Sequence, residues 1–196
     1  KMAVILYDQP MNTVAQRMDV LRKRYGQRFA EADLAKLVKE HIKLDSTVEL
    51  LVLRSNEMDN DFENNPEAAP GLISRTFQRI RSALHKLAGL GFQDAFILTD
   101  HGFFLNTATE AGDVCARPPG DWINAHERML LGDGASASTD PGNLMLSVEA
   151  LGIRGDFNQA ATPRALVAYR AGLTYFHGGL SLPEALVPVI SLRMRV

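Results

Sequence analysis

The sequence predicts an α/β fold in which a mostly parallel sheet is flanked by helices. One observation is the apolar run Phe96-Ile97-Leu98, because a run without polar alternation is typical of a strand buried on both faces. The other is the order of the segments before it: an apolar run at 48–53, an acidic stretch, and a long amphipathic pattern at 72–90. A strand, a helix and a second strand in this order favour parallel pairing.

The segments before residue 48 continue the alternation of strands and helices. Residues 3–7 are apolar and predict a buried strand. Asn12 or Thr13 then supplies an N-cap, since either side chain can accept a hydrogen bond from the first turn of a helix. The apolar spacing that follows predicts a helix that ends near Gly26, and a second amphipathic helix is expected over 33–42.

The segments after residue 105 differ in composition. Residues 106–143 are rich in Gly, Pro, Ser, Thr and Asp, and we interpret them as a loop-rich insertion. The remaining elements are, in order, a short amphipathic piece at 122–131, a strand or short helix at 143–151, a loop at 157–161, a short helix capped by Ser181, and a last strand at 187–192. We expect residues 1–196 to form one domain. Because the chain begins almost at once inside a strand, we expect it to be the C-terminal portion of a larger protein.

The composition excludes several classes of protein. Hydrophobic residues make up 46% and charged residues 22% of the chain, which is ordinary for a globular domain. The formal net charge of -2 does not indicate direct nucleic-acid binding. No apolar run approaches the roughly 20 residues that cross a bilayer. The single cysteine, Cys115, excludes an internal disulfide framework and fits a reducing compartment, so we expect a cytoplasmic protein.

Asp100 and His101 stand directly after the apolar run, at the end of the predicted strand. Ligands of open α/β sheets bind just beyond the carboxyl ends of the strands. A lone carboxylate at such a place needs compensation, because its desolvation is costly. A carboxylate beside a neutral imidazole suits zinc or manganese, so the pair is a candidate metal site. The alternative is an aspartate that caps the following turn and a histidine at the surface.

A second acidic stretch follows the predicted strand at 48–53. Asp59 and Glu63 are four residues apart, so on one helical turn they would share a face and repel each other unless a cation lay between them. In a parallel sheet this stretch and Asp100 fall on the same edge, which favours a shared metal site. The alternative is an acidic surface loop, which the Asn-Asn-Pro that follows would suit.

The C-terminal part of the chain carries a third candidate. His177 is followed by Gly178 and Gly179, and two glycines allow the backbone to approach a ligand closely. The alternative is a structural histidine. Ser181 and Glu184, three residues apart, have the spacing of a capping box at the start of the predicted short helix.

The chain resembles the PglZ domain of the alkaline phosphatase superfamily in two motifs. They are Thr99-Asp100-His101-Gly102 and His177-Gly178-Gly179-Leu180-Ser181-Leu182-Pro183-Glu184, the second followed by a Val-Pro-Val-Ile strand. The Asp-His-Gly signature is widespread in that superfamily, whereas the His-Gly-Gly-Leu-Ser run is more specific to PglZ. The resemblance covers roughly residues 48–196. It implies a three-layer, alkaline phosphatase-like α/β fold with a mostly parallel sheet.

The resemblance also implies a centre of two divalent metal ions, zinc or manganese, about 4 Å apart, that would polarise a phosphate. Asp100 and His101 match the pair that holds one metal together with the nucleophile, and His177 matches the histidine that holds the other. Gly178 and Gly179 are then expected to contact the substrate.

Two further parts of that centre match less closely. Asp59 and Glu63 occupy the relation in which superfamily members often have an aspartate and a histidine, and Asn64 could serve in place of Glu63. The superfamily also has an earlier aspartate at the end of a strand and a Thr or Ser nucleophile at a helix N-terminus. Asp8 and Thr13 imitate these, but their five-residue spacing is short, so we expect the nucleophile to lie outside this chain.

The function implied by the resemblance is that of a metal-dependent phosphatase or phosphodiesterase. PglZ proteins are associated with bacterial phage resistance, and similar domains are fused to response regulators, so protein partners in a defence or signalling complex are expected. One alternative is a non-catalytic module that binds a nucleotide or a protein on the same fold. Another is a mutase-like transferase, because the superfamily includes isomerases.

Overall fold

The computed structural model describes residues 5–6, 8–40, 42–65, 68–106, 110, 112–134 and 141–194. Contacts between Cα atoms divide the chain into two compact units. The first unit comprises residues 1–61, 68–95 and 192–196, and the second comprises residues 62–67 and 96–191. No helix in the described ranges is both long enough and apolar enough to cross a membrane.

The first unit begins with a hairpin and a capped helix. Strands β1 (Ile5–Leu6) and β2 (Gln9–Pro10) pair antiparallel. The strand expected at 3–7 is thus present at its described positions, but it is not buried, because Ile5 is exposed; residues 3, 4 and 7 lie outside the described part. Helix α1 (Val14–Tyr25) has Thr13 as its N-cap and is followed by Gly26, as predicted.

A parallel strand–helix–strand unit follows. Strand β3 (Phe29–Asp33) leads into helix α2 (Leu34–Lys39), and strand β4 (Leu50–Arg54) returns parallel to β3. The strand expected at 48–53 is therefore confirmed, whereas β3 was not predicted. Its sequence Phe-Ala-Glu-Ala-Asp has no β-branched residue, so its extended form depends on pairing with β4. The helix expected over 33–42 is shorter and begins at the cap Asp33.

Helices α3 (Glu57–Asn64) and α4 (Ala69–Gly89) connect β4 to strand β5 (Asp94–Leu98). The helix predicted over 72–90 is confirmed as α4, and the last predicted strand as β12 (Val189–Arg193). The pairing differs from the prediction, because β5 pairs with β12 while β4 pairs with β3. The expected parallel neighbours are therefore in separate sheets.

The prediction of a three-layer, mostly parallel sheet is wrong for the described residues. Their sheets are small and mixed, and most pairs are antiparallel. Strand β5 is also not buried on both faces, since its exposure alternates and Phe96 and Leu98 are 65% and 62% exposed. An apolar run alone does not reveal whether neighbouring elements cover one face of a strand or both.

The second unit is built on a four-stranded antiparallel sheet with the order β7-β8-β10-β9. The strands are β7 (Gly120–Ala125), β8 (Leu130–Gly134), β9 (Asn143–Ser147) and β10 (Gln159–Pro163). Segments expected as loops within 106–143 and at 157–161 thus contain strands. Buried Leu131 and Ala160 face each other across β8 and β10 and lie in one apolar cluster with Val148 and Phe157.

Three short elements of the second unit lie next to the Asp-His-Gly and His-Gly-Gly motifs of the sequence. Strand β6 (Phe104–Leu105) follows the Asp-His-Gly run and pairs antiparallel with β11 (Tyr175–Phe176), which precedes His177. Helix α5 (Leu182–Ala185) follows the glycines, with Ser181 as its N-cap as predicted. The pairing of β6 with β11 therefore brings two distant stretches of sequence side by side.

We expect Thr13→Ala to lower the free energy of unfolding by about 1 kcal/mol. At the start of α1, the Gln16 N–H donates to the Thr13 hydroxyl oxygen and the Thr13 N–H donates to Gln16 Oε1, and the substitution removes the first of these bonds. Urea unfolding followed by circular dichroism measures the change. Thr13→Ser keeps the acceptor and is the control; equal destabilisation by both variants would contradict the capping role.

Candidate functional site

Two histidines from distant parts of the chain stack on each other in the second unit. His101 lies shortly before β6 and His177 directly after β11, so the β6–β11 pairing brings them together. Their ring centroids are 4.2 Å apart and the rings are 11° from parallel. Both residues belong to the motifs that predict a site, and in the structure they are neighbours.

An aromatic cluster lies beside this pair. The Tyr175 ring is 5.9 Å from the His177 ring, and Tyr175 also packs against Phe62 and Phe103 at centroid distances of 5.4 and 5.6 Å. Phe62 is fully buried and meets Phe103 edge to face. Such packing restricts the rotamers of the side chains around His177.

Asp100 points away from the protein interior. Its side chain is 81% exposed, and its Oδ1 is 3.8 Å from His101 Nε2. The other ring nitrogen, Nδ1, is 3.1 Å from the carbonyl oxygen of Gly102. In the tautomer with its proton on Nδ1, the ring donates to this carbonyl and Nε2 is the unprotonated nitrogen.

The turn that follows His101 is fastened to α5. The Gly102 N–H donates to the Glu184 carbonyl oxygen at 3.0 Å. A Cβ at residue 102 would lie 1.9 Å from the Pro183 carbonyl oxygen, so only glycine fits. The glycine of the Asp-His-Gly motif therefore serves a close backbone approach between two parts of the site.

The segment that follows His177 is fastened to the Glu184 side chain. The buried carboxylate of Glu184 accepts hydrogen bonds from the Gly179 N–H, the Ser181 hydroxyl and Arg128 Nε. The expected capping box is thus replaced by a bond from the Ser181 hydroxyl to the Glu184 side chain. Gly179 is buried and its N–H is already bonded, whereas Gly178 is exposed.

A cleft opens next to His177. It has a volume of about 390 Å³ and is lined by Glu63, Arg117, Ala125, His126, Glu127, Tyr169, Arg170 and His177. A second cavity of about 330 Å³ shares Glu63, Glu127, Arg170 and His177 with it, so the two are contiguous. Arg170 donates to Glu127 at 2.9 Å. Among described residues, none pairs with the Arg117 guanidinium.

The cleft contains two residues predicted from the sequence and several that were not. Glu63 and His177 were candidates, and they line the same space. Arg117, His126 and Arg170 were not singled out, because isolated basic residues in a polar stretch have no spacing that distinguishes a binding site from a solvated surface.

The remaining candidates lie in the first unit. Asp59 is on α3, at a position before the boundary of the units. Thr13 caps α1, and Asp8 lies in the β1–β2 hairpin with a positive φ of 59°. By contrast, Glu63 and Asn64 at the end of α3 belong to the second unit, together with the two histidines.

The described residues do not form a complete metal site. A metal bound to an imidazole lies near the ring plane, about 2.0–2.1 Å from the nitrogen, so two parallel rings 4.2 Å apart cannot share one ion. Their arrangement is compatible with one ion per ring. However, no group of three His, Cys, Asp or Glu side chains suited to a metal is present in the described ranges.

The chain matches a known family of protein domains. A family model described as "BREX system PglZ alkaline phosphatase-like domain" matches residues 3–192, which is nearly the whole chain. No curated protein and no solved structure matches the chain.

We expect Gly102→Ala to lower the free energy of unfolding by at least about 1–3 kcal/mol, the usual cost of overpacking. The added methyl group would collide with the Pro183 carbonyl and separate the turn from α5. Gly112→Ala is the control, because a Cβ there meets nothing within 4 Å. Thermal and urea unfolding compare the two variants, and equal stability of both would contradict the close approach.

Proposed function

The chain belongs to the PglZ family of alkaline phosphatase-like domains, and from this premise we propose that it binds a phosphoester in the cleft beside His177 and takes part in its hydrolysis. The observation that carries the proposal is the stacked pair of histidines, one of which lines a cleft that also contains two arginines. A guanidinium suits the binding of phosphate oxygens, and imidazole is the side-chain group that most often transfers protons.

Arg117 is the best candidate to bind the anionic oxygens. A guanidinium offers two parallel N–H groups that match two oxygens of a phosphate. Arg170 also lines the cleft, but its charge is partly balanced by Glu127 at 2.9 Å. Since no described residue pairs with Arg117, binding a phosphate there breaks no ion pair within the described part of the chain.

His177 and His101 have different tasks in this proposal. His177 lines the cleft, so the ring nitrogen that does not hold a metal can donate a hydrogen bond to a phosphoryl oxygen. His101 stacks against it and is held by its contact with Gly102, so it keeps the plane of the His177 ring fixed. Gly178, which has a positive φ and is exposed, allows the backbone beside His177 to approach the substrate.

Alkaline phosphatase-like proteins generally use divalent metals, and the proposal includes two such ions, zinc or manganese. When bound, they would polarise the phosphate and stabilise developing negative charge. Asp100, His101, His177 and Glu63, all of the second unit, remain the proposed ligands. Because the described residues bring no three ligands together, a complete centre requires ligands beyond this group.

A second function is favoured by the same finding. Because the described residues bring no three metal ligands together, a non-catalytic module that binds a nucleotide or a protein partner is the second candidate. In either case we propose that it works within a BREX system, which the description of the matching family model supports, and that it contributes to phage resistance.

We expect the protein expressed from its complete reading frame to contain divalent metal and to hydrolyse a phosphodiester such as bis(4-nitrophenyl) phosphate. His101→Ala and His177→Ala should each lower kcat/KM at least about 100-fold, because each removes a proposed metal ligand and even the loss of a residue that supports a ligand costs about 10–100-fold. His85→Ala on α4 is the matched control and should leave kcat/KM unchanged. A metal-free, folded and inactive protein that still assembles with its partners would favour the binding module.

We expect Arg117→Ala to weaken binding of inorganic phosphate about tenfold or more, because a hydrogen bond to a charged group contributes about 1.5–3 kcal/mol. Isothermal titration calorimetry measures the dissociation constant. Arg154→Ala removes an exposed arginine of the second unit that does not line the cleft and is the control. Equal weakening by both substitutions would reject a specific contact of Arg117.

A further inference from the structure

We propose that the buried ion pair of Arg128 and Glu184 is a positioning device that holds the two histidines in their stacked geometry. The side chains of Arg128 and Glu184 are 2% and 0% exposed, and Arg128 Nε lies 2.8 Å from Oε1 and 3.0 Å from Oε2 of Glu184. This proposal rests on the proposed function for its effect on catalysis, but its structural part can be tested without activity.

Glu184 links both histidine segments through different atoms. Its main-chain oxygen accepts the Gly102 N–H, one residue after His101. Its side chain accepts the Gly179 N–H, two residues after His177, at 3.0 Å. A Cβ at Gly179 would lie 2.7 Å from both Arg128 Nε and Glu184 Oε2, so the segment is packed directly against the pair. One residue therefore fixes the distance between the two imidazoles.

Arg128 also contacts other segments of the second unit. Its second guanidinium arm donates to the carbonyl oxygens of Ala165 and Val167, at 3.1 Å for Ala165. Its guanidinium carbon lies 5.3 Å from the centre of the Phe176 ring. Phe176 directly precedes His177 in the sequence. The neighbouring residue Glu127 lines the cleft, and its carbonyl accepts the Tyr169 N–H at 2.7 Å. Arg128 thus contacts β11, which precedes His177, and follows Glu127 of the cleft lining in the sequence.

Stability alone does not account for this pair. Desolvating two charges offsets much of their attraction, so a well-packed apolar pair of similar volume is often as stable. The bonds that Arg128 and Glu184 make are directional, and each ends on a backbone group or a residue next to the site. An apolar pair would fill the space without fixing these angles. The function of the pair is therefore the geometry that it imposes.

The test compares Glu184→Gln with Val148→Ala in the full protein. Glu184→Gln keeps the volume and removes the charge, while Val148→Ala removes buried apolar volume near the four-stranded sheet. The first readout is the NMR signals of the His101 and His177 rings, which shield each other when stacked. We expect both signals to move toward unstacked values in Glu184→Gln and to stay in place in Val148→Ala.

The second readout is kinetic. We expect Glu184→Gln to lower kcat at least tenfold with a smaller change in KM, beyond any loss seen in Val148→Ala at the same folded fraction. Unchanged histidine signals in folded Glu184→Gln, or equal kcat losses in both variants, would overturn the positioning role. If Glu184→Gln does not fold, Arg128→Lys keeps both charges but lacks the guanidinium fork, and the same two outcomes apply.

An inactive wild-type protein would reject the proposed function. The positioning role of the ion pair would then be tested by the NMR readout alone. Stacked histidine signals that are lost in Glu184→Gln would then still support the device. Wild-type signals that show no mutual shielding would overturn it, whatever the activity.

Discussion

The geometry of the site depends on one constraint: two segments far apart in the sequence are fastened to the same short helix. The turn after His101 bonds to the backbone of α5, and the loop after His177 bonds to the Glu184 side chain on that helix. The short β6–β11 pair alone has two residue pairs, which is too little to fix a ring geometry. The buried carboxylate and its arginine supply the missing contacts.

The sequence predicted those elements whose signals are local. Thr13 and Gln16 cap α1 through contacts three residues apart, and the apolar spacing of α4 needs no distant partner. Strands β8 and β10 escaped prediction because Leu-Leu-Gly-Asp-Gly and Gln-Ala-Ala-Thr-Pro lack a strand pattern. The small residues in these strands allow neighbouring strands to pack closely. Because those neighbours are distant in the sequence, a local pattern cannot predict the strands.

The site was predicted in part for the same reason. The motifs identified His101 and His177, and the structure stacks them. Arg128 was not found, because charged residues are mostly exposed and nothing local marks one that is buried. Glu184 was seen only as a helix cap, although its carboxylate bonds to three groups around the site. The expected common edge of a parallel sheet does not occur, so the histidines meet through an antiparallel pair instead.

The central claim is that His101 and His177 act as one unit beside a phosphate-binding cleft. The most direct measurement is a titration of histidine-labelled protein with inorganic phosphate, followed by NMR. We expect the ring signals of His101 and His177 to shift together with one dissociation constant, while the signal of His85 stays in place. Shifts of His85 equal to theirs, or no shift of either ring in the folded protein, would contradict it.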